Sequence, residues 1–69
     1  MPIVEITMIE GRTPEAKRRL IAKVTDSIIE AIEAPRDSIR IILREVPALH
    51  FGVAGKTKEK IEAPPDGVS

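Results

Sequence analysis

Pro2 is the residue with the most unusual chemical potential, because it directly follows the initiator methionine. Such a methionine is usually removed before a residue with a small side chain. The nitrogen of Pro2 would then be a secondary amine, able to act as a base or a nucleophile. The alternative is structural, since proline lacks an N–H and the first position of a strand tolerates that. Met1-Pro2 alone favours the structural interpretation, and the remaining residues decide against it.

Two arginines and the single aromatic residue are the next candidates. Arg12 is expected just past the first strand, and Arg40 on a sheet face among aliphatic neighbours. A guanidinium among apolar side chains needs an anionic partner or access to solvent, because leaving it unpaired costs several kcal/mol. Arg12 could instead be a solvated turn residue, and Phe51 an interface plug. Arg40 could form a salt bridge across an oligomer interface, with Glu5 or Glu45.

Other reactive residue types form weaker patterns. His50 has no partner carboxylate near it in the sequence, and such a histidine is more often structural than catalytic. The serines and threonines lack the base and orienting group that nucleophilic catalysis requires. Gly11 is a single turn glycine and not part of a phosphate-binding loop.

Two strands are expected, over residues 1–9 and 39–46, because side chains alternate in character along both. The first strand has an apolar face and a mixed face, formed by Val4, Ile6 and Met8 and by Ile3, Glu5, Thr7 and Ile9. The second strand has a helix-packing face and an opposite face, formed by Ile39, Ile41 and Leu43 and by Arg40, Ile42, Arg44 and Val46. Arg40 is therefore expected to point away from the helix.

A helix is predicted over residues 14–33, because apolar residues recur there at three- and four-residue intervals. Thr13 can cap its start, and Pro14 suits the first helical position. Pro35 disfavours helical geometry in Ala34, so the helix should end by that residue.

Strand, helix and strand with short connections predict a right-handed βαβ unit with parallel strands, an α/β (α+β) fold. Gly52 and Gly55 indicate a C-terminal hairpin after Pro47 ends the second strand. We expect a single domain over residues 1–69, with a flexible tail over about residues 62–69.

Composition limits the classes of function. The 69 residues carry eleven basic and eleven acidic side chains and one aromatic ring, which argues against nucleic acid as a partner. There is no cysteine and no apolar run of membrane-spanning length, so we expect a cytoplasmic protein with no membrane partner. Apolar residues make up 42% of this small chain, and self-association would bury their surplus.

The chain resembles the 4-oxalocrotonate tautomerase (2-hydroxymuconate tautomerase) family in the spacing and order of five segments: Pro2, Ile9-Glu10-Gly11-Arg12, Ala34-Pro35, Ser38-Ile39-Arg40 and His50-Phe51-Gly52-Val53. The likeness covers about residues 2–61. Family members are homohexamers, arranged as trimers of dimers, of βαβ subunits that begin with proline. They are isomerases of aromatic catabolism that use no cofactor and no metal. The resemblance implies the same fold, assembly and activity here.

The resemblance also assigns a site: the catalytic residues Pro2, Arg12 and Arg40, and the substrate-binding residues Ile9, Arg12, Ser38, Arg40 and Phe51. Pro2 would be the general base, and the two arginines would bind and polarise the substrate. Phe51 would form an apolar wall, while Ser38 and the backbone N–H of Ile9 would add supporting contacts. The family's site draws residues from more than one subunit, so activity and hexamer depend on each other.

The implied reaction is a proton relocation on an unsaturated dicarboxylate or enol such as 2-hydroxymuconate. Pro2 would remove the hydroxyl proton of the dienol and return it to a distant carbon. Two guanidinium groups suit two carboxylates. Nearby arginines and an apolar pocket disfavour a positive prolinium, so the pKa of the amine should be lowered, as a general base requires.

Several features depart from the family pattern. Ala54 stands where a glycine is common, so the hairpin could bend differently. Arg44, about 13 Å from Arg40 at roughly 3.3 Å per strand residue, is an additional charge that could alter substrate preference. The Pro64-Pro65 tail is extra. If Met1 is retained, Pro2 is an amide and cannot be the base.

Two alternatives remain at this stage. Dehalogenase-like relatives add water to haloacrylates with a glutamate near the hairpin, at the place of Val53 here, and an aliphatic side chain cannot activate water. A hexameric binding or scaffold protein could keep the fold without turnover. The sequence does not distinguish a homohexamer from a mixed hexamer.

Overall fold

The structure, a computed structural model, describes residues 1–59 of the chain. The helix and the strands follow in the order β1 (Ile3–Ile9), α1 (Pro14–Ile32), β2 (Arg40–Val46), β3 (Gly52–Val53) and β4 (Lys56–Thr57). Short 3₁₀ turns, Arg36–Ser38 and Ala48–His50, precede β2 and β3. The predicted βαβ unit with a C-terminal hairpin is thus confirmed. The tail expected to be flexible lies outside the described residues.

Strands β1 and β2 are parallel neighbours, as predicted. They pair in step along their whole length, beginning with Ile3 opposite Arg40. Hydrogen bonds continue one residue past each end: the N–H of Arg40 donates to the C=O of Pro2 (3.0 Å), and the N–H of Glu10 donates to the C=O of Val46 (2.9 Å). The register therefore places Pro2 beside the start of β2.

The ends of the elements differ slightly from those predicted. Strand β1 begins at Ile3 and not at Met1. Strand β2 begins at Arg40 and not at Ile39, because the N–H of Ile39 donates to the C=O of Arg36 (3.2 Å) and closes the preceding 3₁₀ turn. Side-chain alternation does not report a backbone hydrogen bond such as that of Ile39, so it placed the start of β2 one residue early.

Helix α1 begins as the sequence predicts. The hydroxyl of Thr13 accepts a hydrogen bond from the N–H of Ala16 (3.1 Å), and Pro14 is the first helical residue. The helix ends at Ile32, one residue before the predicted end, because Glu33 adopts a left-handed backbone conformation (φ 55°). In the described part of the chain, no helix combines the length and apolarity needed to cross a membrane.

Helix α1 covers one face of the sheet and leaves the other uncovered. This open face carries the odd-numbered residues of β1 and the even-numbered residues of β2: Ile3, Glu5, Thr7, Ile9, Arg40, Ile42, Arg44 and Val46. Ile3 is 60% exposed and Ile42 is 42% exposed, whereas Ile39 is the only apolar residue among residues 1–59 that is buried. Residues 1–59 of one chain therefore bury little apolar surface against the entropy cost of folding.

The C-terminal hairpin pairs β3 with β4 in antiparallel fashion. Its two turn residues have positive φ, 53° at Ala54 and 81° at Gly55. A left-handed conformation is ordinary for glycine and unfavourable for alanine. A glycine at position 54 would avoid that cost.

Candidate active site

Three of the predicted site residues lie together at the start of β2, and we call them the proline end: Pro2, Ser38 and Arg40. The backbone bond from Arg40 to Pro2 fixes the two residues side by side. Ser38 lies in the 3₁₀ turn that leads into β2, and its hydroxyl donates to the C=O of Pro35 (2.7 Å). Pro2 and Ser38 are half-buried, whereas Arg40 is exposed.

The other three predicted site residues follow the far end of the strands, and we call them the carboxyl end: Ile9, Arg12 and Phe51. Ile9 is the last residue of β1, and the turn at Gly11 (φ 126°) carries the chain to Arg12. Phe51 lies after the 3₁₀ turn Ala48–His50 and is half-buried. Only glycine adopts such a φ readily, which accounts for a glycine at position 11.

The two ends of the site are far apart within one chain. Strand β1 separates them by six residue steps, and at about 3.3 Å per step this places roughly 20 Å between Pro2 and Arg12. A guanidinium side chain cannot span that distance. The structure therefore brings Pro2, Ser38 and Arg40 together but not Arg12, and a site that contains both Pro2 and Arg12 requires a second chain.

The backbone N–H of Ile9 faces away from β2. In a parallel ladder alternate residues of one strand bond to the neighbour, and the bonds at Pro2 and Glu10 show that the even-numbered residues of β1 do so. The odd-numbered residues, including Ile9, direct their N–H groups to the free edge of β1. This donor is thus available to another chain or to a ligand, as its predicted supporting role requires.

Arg12 borders a largely apolar cavity that the sequence did not reveal. The cavity has a volume of about 330 Å³ and is lined by Ile6, Met8, Arg12, Ala16, Lys17 and Leu20. A second cavity of about 340 Å³ follows it along the same helix and strand, lined by Val4, Lys23, Val24, Ser27, Ile28 and Ala31. Alternation predicted that the second strand packs on the helix, and only the structure shows the gaps between β1 and α1.

The carboxylates considered as partners for Arg40 are engaged by other residues of the same chain. Glu45 accepts a hydrogen bond from Lys17 (2.9 Å), and Glu5 accepts one from Nε of Arg44 (3.2 Å). The hydrogen bond to Glu5, together with its negative charge, raises the pKa of Arg44. Arg40 instead donates from Nη1 to the C=O of Asp37 (2.6 Å). Among residues 1–59 no carboxylate pairs with Arg40.

No group of three or more His, Cys, Asp or Glu side chains converges among residues 1–59. His50 closes a 3₁₀ turn through its backbone N–H, which donates to the C=O of Pro47 (2.8 Å), and the residue is exposed. His50 thus directly precedes Phe51 at the carboxyl end, with its backbone N–H engaged in the turn.

The chain, a short parallel βαβ unit with a proline just before its first strand, matches a known family of enzymes. The model of the Tautomerase enzyme family covers residues 2–61 of the chain. A probable tautomerase of Ralstonia nicotianae is 49% identical over 65 residues, which cover 94% of this chain and 93% of that protein. A 2-hydroxymuconate tautomerase of Stutzerimonas stutzeri is 41% identical over 61 residues, covering 88% and 97% of the two chains.

The fold of a solved relative agrees with these matches. A heterohexamer 4-oxalocrotonate tautomerase from Chloroflexus aurantiacus superposes with a TM-score of 0.81 at 34% identity, covering 84% of this chain and 94% of that one. The chain belongs to the tautomerase family, and it is an isomerase.

Proposed function

We propose that this chain is the subunit of a tautomerase that converts a 2-hydroxydienoate such as 2-hydroxymuconate to its unsaturated 2-oxo acid. The observation that supports this most directly is the hydrogen-bonded pair of Pro2 and Arg40 at the start of the two strands. It joins the backbone of the proposed base to the backbone of an arginine whose guanidinium pairs with no carboxylate among residues 1–59. A dienol with a neighbouring carboxylate would offer a proton to such a base and an anion to such a guanidinium.

The proposed base is the nitrogen of Pro2 after removal of Met1. In the structure Met1 precedes Pro2, so the nitrogen is part of an amide and cannot accept a proton. Once freed, the secondary amine would take the hydroxyl proton of the dienol and return it to a distant carbon. The strand ladder would hold the amine in place, because the C=O of Pro2 remains bonded to β2.

The two arginines have different proposed roles. Arg40 would hold the carboxylate and the oxygen next to the reacting proton. Arg12, supplied by another chain, would bind the far carboxylate and draw electron density toward it as charge develops. Both guanidinium groups would also disfavour the protonated amine, which lowers the pKa of Pro2 toward the range that a general base needs. Phe51 would exclude water from the same space.

The proposed assembly is a hexamer, built as a trimer of dimers. Three observations support association in general: the open face of the sheet carries exposed isoleucines, a single apolar residue of the described chain is buried, and the two ends of the site lie about 20 Å apart by strand geometry. A homohexamer is the simplest arrangement. A mixed hexamer remains the alternative, because the relative from Chloroflexus aurantiacus is a heterohexamer.

Hydration of haloacrylates is the second candidate, and the hairpin argues against it. Val53, where dehalogenase-like relatives carry a glutamate, is an aliphatic residue that is 50% exposed in β3. It cannot activate water. We expect purified protein to ketonise 2-hydroxymuconate rapidly and to release little halide from 3-chloroacrylate, measured by absorbance and by halide titration. The opposite ranking of the two rates would refute the proposed reaction.

A binding protein without turnover is the third candidate. The intact mass of the purified subunit separates it from the enzyme. A mass that lacks the methionine supports the proposed base, whereas a full-length mass together with an inactive hexamer would favour the scaffold.

A further inference from the structure

Glu5 lies between two arginines on the open face of the sheet. It is opposite Ile42, so Arg40 and Arg44 are each two residues along β2 from its partner position. Strands about 4.8 Å apart with a rise of about 3.3 Å per residue put both diagonals at about 8 Å between Cα atoms. Long side chains bridge such a diagonal readily. The register alone therefore allows Glu5 to pair with either arginine.

In the structure Glu5 pairs with Arg44 and not with Arg40. Its Oε1 accepts hydrogen bonds from both Nε (3.2 Å) and Nη2 of Arg44, a two-point contact with one edge of the guanidinium. Arg40 turns the other way, and its Nη1 contacts the carbonyl oxygens of Asp37 (2.6 Å) and Ile39 (3.4 Å). These two acceptors are neutral. A carboxylate ligand would displace them more easily than it would displace a carboxylate partner.

The pairing of Glu5 with Arg44 determines whether the Arg40 guanidinium is available to a substrate. The open face holds two guanidinium groups and one carboxylate, so one guanidinium has no carboxylate partner on that face. If Arg44 were absent, the nearest cation to Glu5 on this face would be Arg40, along the other diagonal. An internal carboxylate would then compete with the carboxylate of the substrate for the same guanidinium.

We propose that Arg44 is a positioning residue that holds Glu5 away from Arg40 and so keeps the Arg40 guanidinium open to the substrate carboxylate. This inference rests on the proposed function, because it assigns Arg40 to substrate binding. Arg44 itself touches neither substrate nor base in this role. Its effect is to raise the fraction of subunits whose Arg40 is ready to bind.

The test is a set of variants assayed with 2-hydroxymuconate. Arg44→Gln should raise KM by about two- to fivefold. Glu5 would then pair with Arg40, and an exposed ion pair competes with the substrate by about this factor in affinity. The value of kcat should change little, because saturating substrate displaces Glu5 from Arg40. Only the apparent affinity should fall, in proportion to the fraction of subunits whose Arg40 is free to bind. Glu5→Gln in the Arg44→Gln background should restore KM, and Arg44→Lys should largely preserve it.

Arg36→Gln is the matched control. It removes an arginine from another exposed ion pair, with Asp26 (2.7 Å), and changes the net charge equally. Its KM should stay at the wild-type value. An unchanged KM in Arg44→Gln, or a double variant as impaired as the single one, would overturn the inference, as would an equal rise in KM for Arg36→Gln.

A binding measurement separates this inference from the proposed reaction. Calorimetric titration with trans,trans-muconate, a dicarboxylate that lacks the hydroxyl proton, reports the Arg40 anion site without turnover. Weaker binding in Arg44→Gln with recovery in the double variant supports the role of Arg44 even if 2-hydroxymuconate is not a substrate. If Arg40→Ala binds the dicarboxylate as tightly as the wild type does, the role of Arg44 is wrong whatever the activity.

Discussion

The two ends of the sheet differ in how their site residues are held. At the proline end, Pro2 and Arg40 are locked together by a backbone hydrogen bond of the strand ladder, and Ser38 lies in the turn that feeds the same strand. At the carboxyl end, Arg12 sits on a turn beyond the ladder, exposed, beside an apolar cavity. One end is held by the strand ladder, whereas the other lies on a turn outside the ladder.

This difference explains why so short a chain can support catalysis. A proton transfer requires a base held within hydrogen-bond reach of its target, and the strand ladder supplies that rigidity at little cost in length. The charge that stabilises the reaction can come from another copy, because symmetric assembly places the same residue at every interface. In the proposed site the ladder fixes the backbone of the base, whereas Arg12 would come from another chain.

Blocking the proline end should have the largest effect. An N-terminal extension that keeps Pro2 in an amide should lower kcat/KM by about 10²- to 10⁴-fold, the usual contribution of a general base. Pro2→Ala should lose most of the activity, since its primary amine is less well placed. Both proteins should remain assembled, as judged by native mass spectrometry. Near-normal turnover by the extended protein would show that the base is another group.

Mixing two inactive variants tests whether the ends come from different chains. Pro2→Ala and Arg12→Ala should each be nearly inactive alone. After joint unfolding and refolding in equal amounts, random assortment of subunits should restore about a quarter of the wild-type sites, because a shared site can draw both intact residues from different chains.

The same mixture decides the opposite case as well. If each site used Pro2 and Arg12 of one chain, every site would carry one defect and no activity would return. A mixture of Pro2→Ala with Arg40→Ala is the companion experiment, and it reports whether Pro2 acts with the Arg40 that is bonded to it or with that of a neighbour.

Local signals in the sequence predicted most of the fold. Thr13 and Pro14 located the start of the helix. The hydroxyl of Thr13 caps a free N–H of the first turn, and Pro14 stands where its lack of an N–H costs nothing. Alternation assigned the faces of both strands correctly, including the direction of Arg40 away from the helix. The resemblance supplied the family, which the matches to related proteins confirm.

The relations between strands could not be predicted in the same way. Alternation states which face a side chain occupies but not which residue lies opposite, so the pairing of Glu5 with Arg44 required the register. The cavity beside Arg12 depends on the spacing between α1 and β1, which side-chain types do not fix. The sequence shows Arg44 as an additional charge, and only the structure shows that it pairs with Glu5.

The smallest predicted effect is at the carboxyl end, in the hairpin that follows Phe51. Ala54 adopts a φ of 53°, which costs an L-residue about 1–2 kcal/mol. Ala54→Gly removes that cost but gives the unfolded chain more freedom, so we expect a net gain in unfolding free energy of about 0.5–1 kcal/mol. Chemical denaturation at fixed subunit concentration measures it.

Gly55→Ala is the matched control: its added Cβ meets nothing within 4 Å, so the loss expected there comes from φ 81° alone. If Ala54→Gly were neutral while Gly55→Ala destabilised the protein, the turn at residue 54 would relax in solution, and the hairpin would be held through Phe51 and the hydrogen bond that its C=O accepts from Lys58 (2.9 Å).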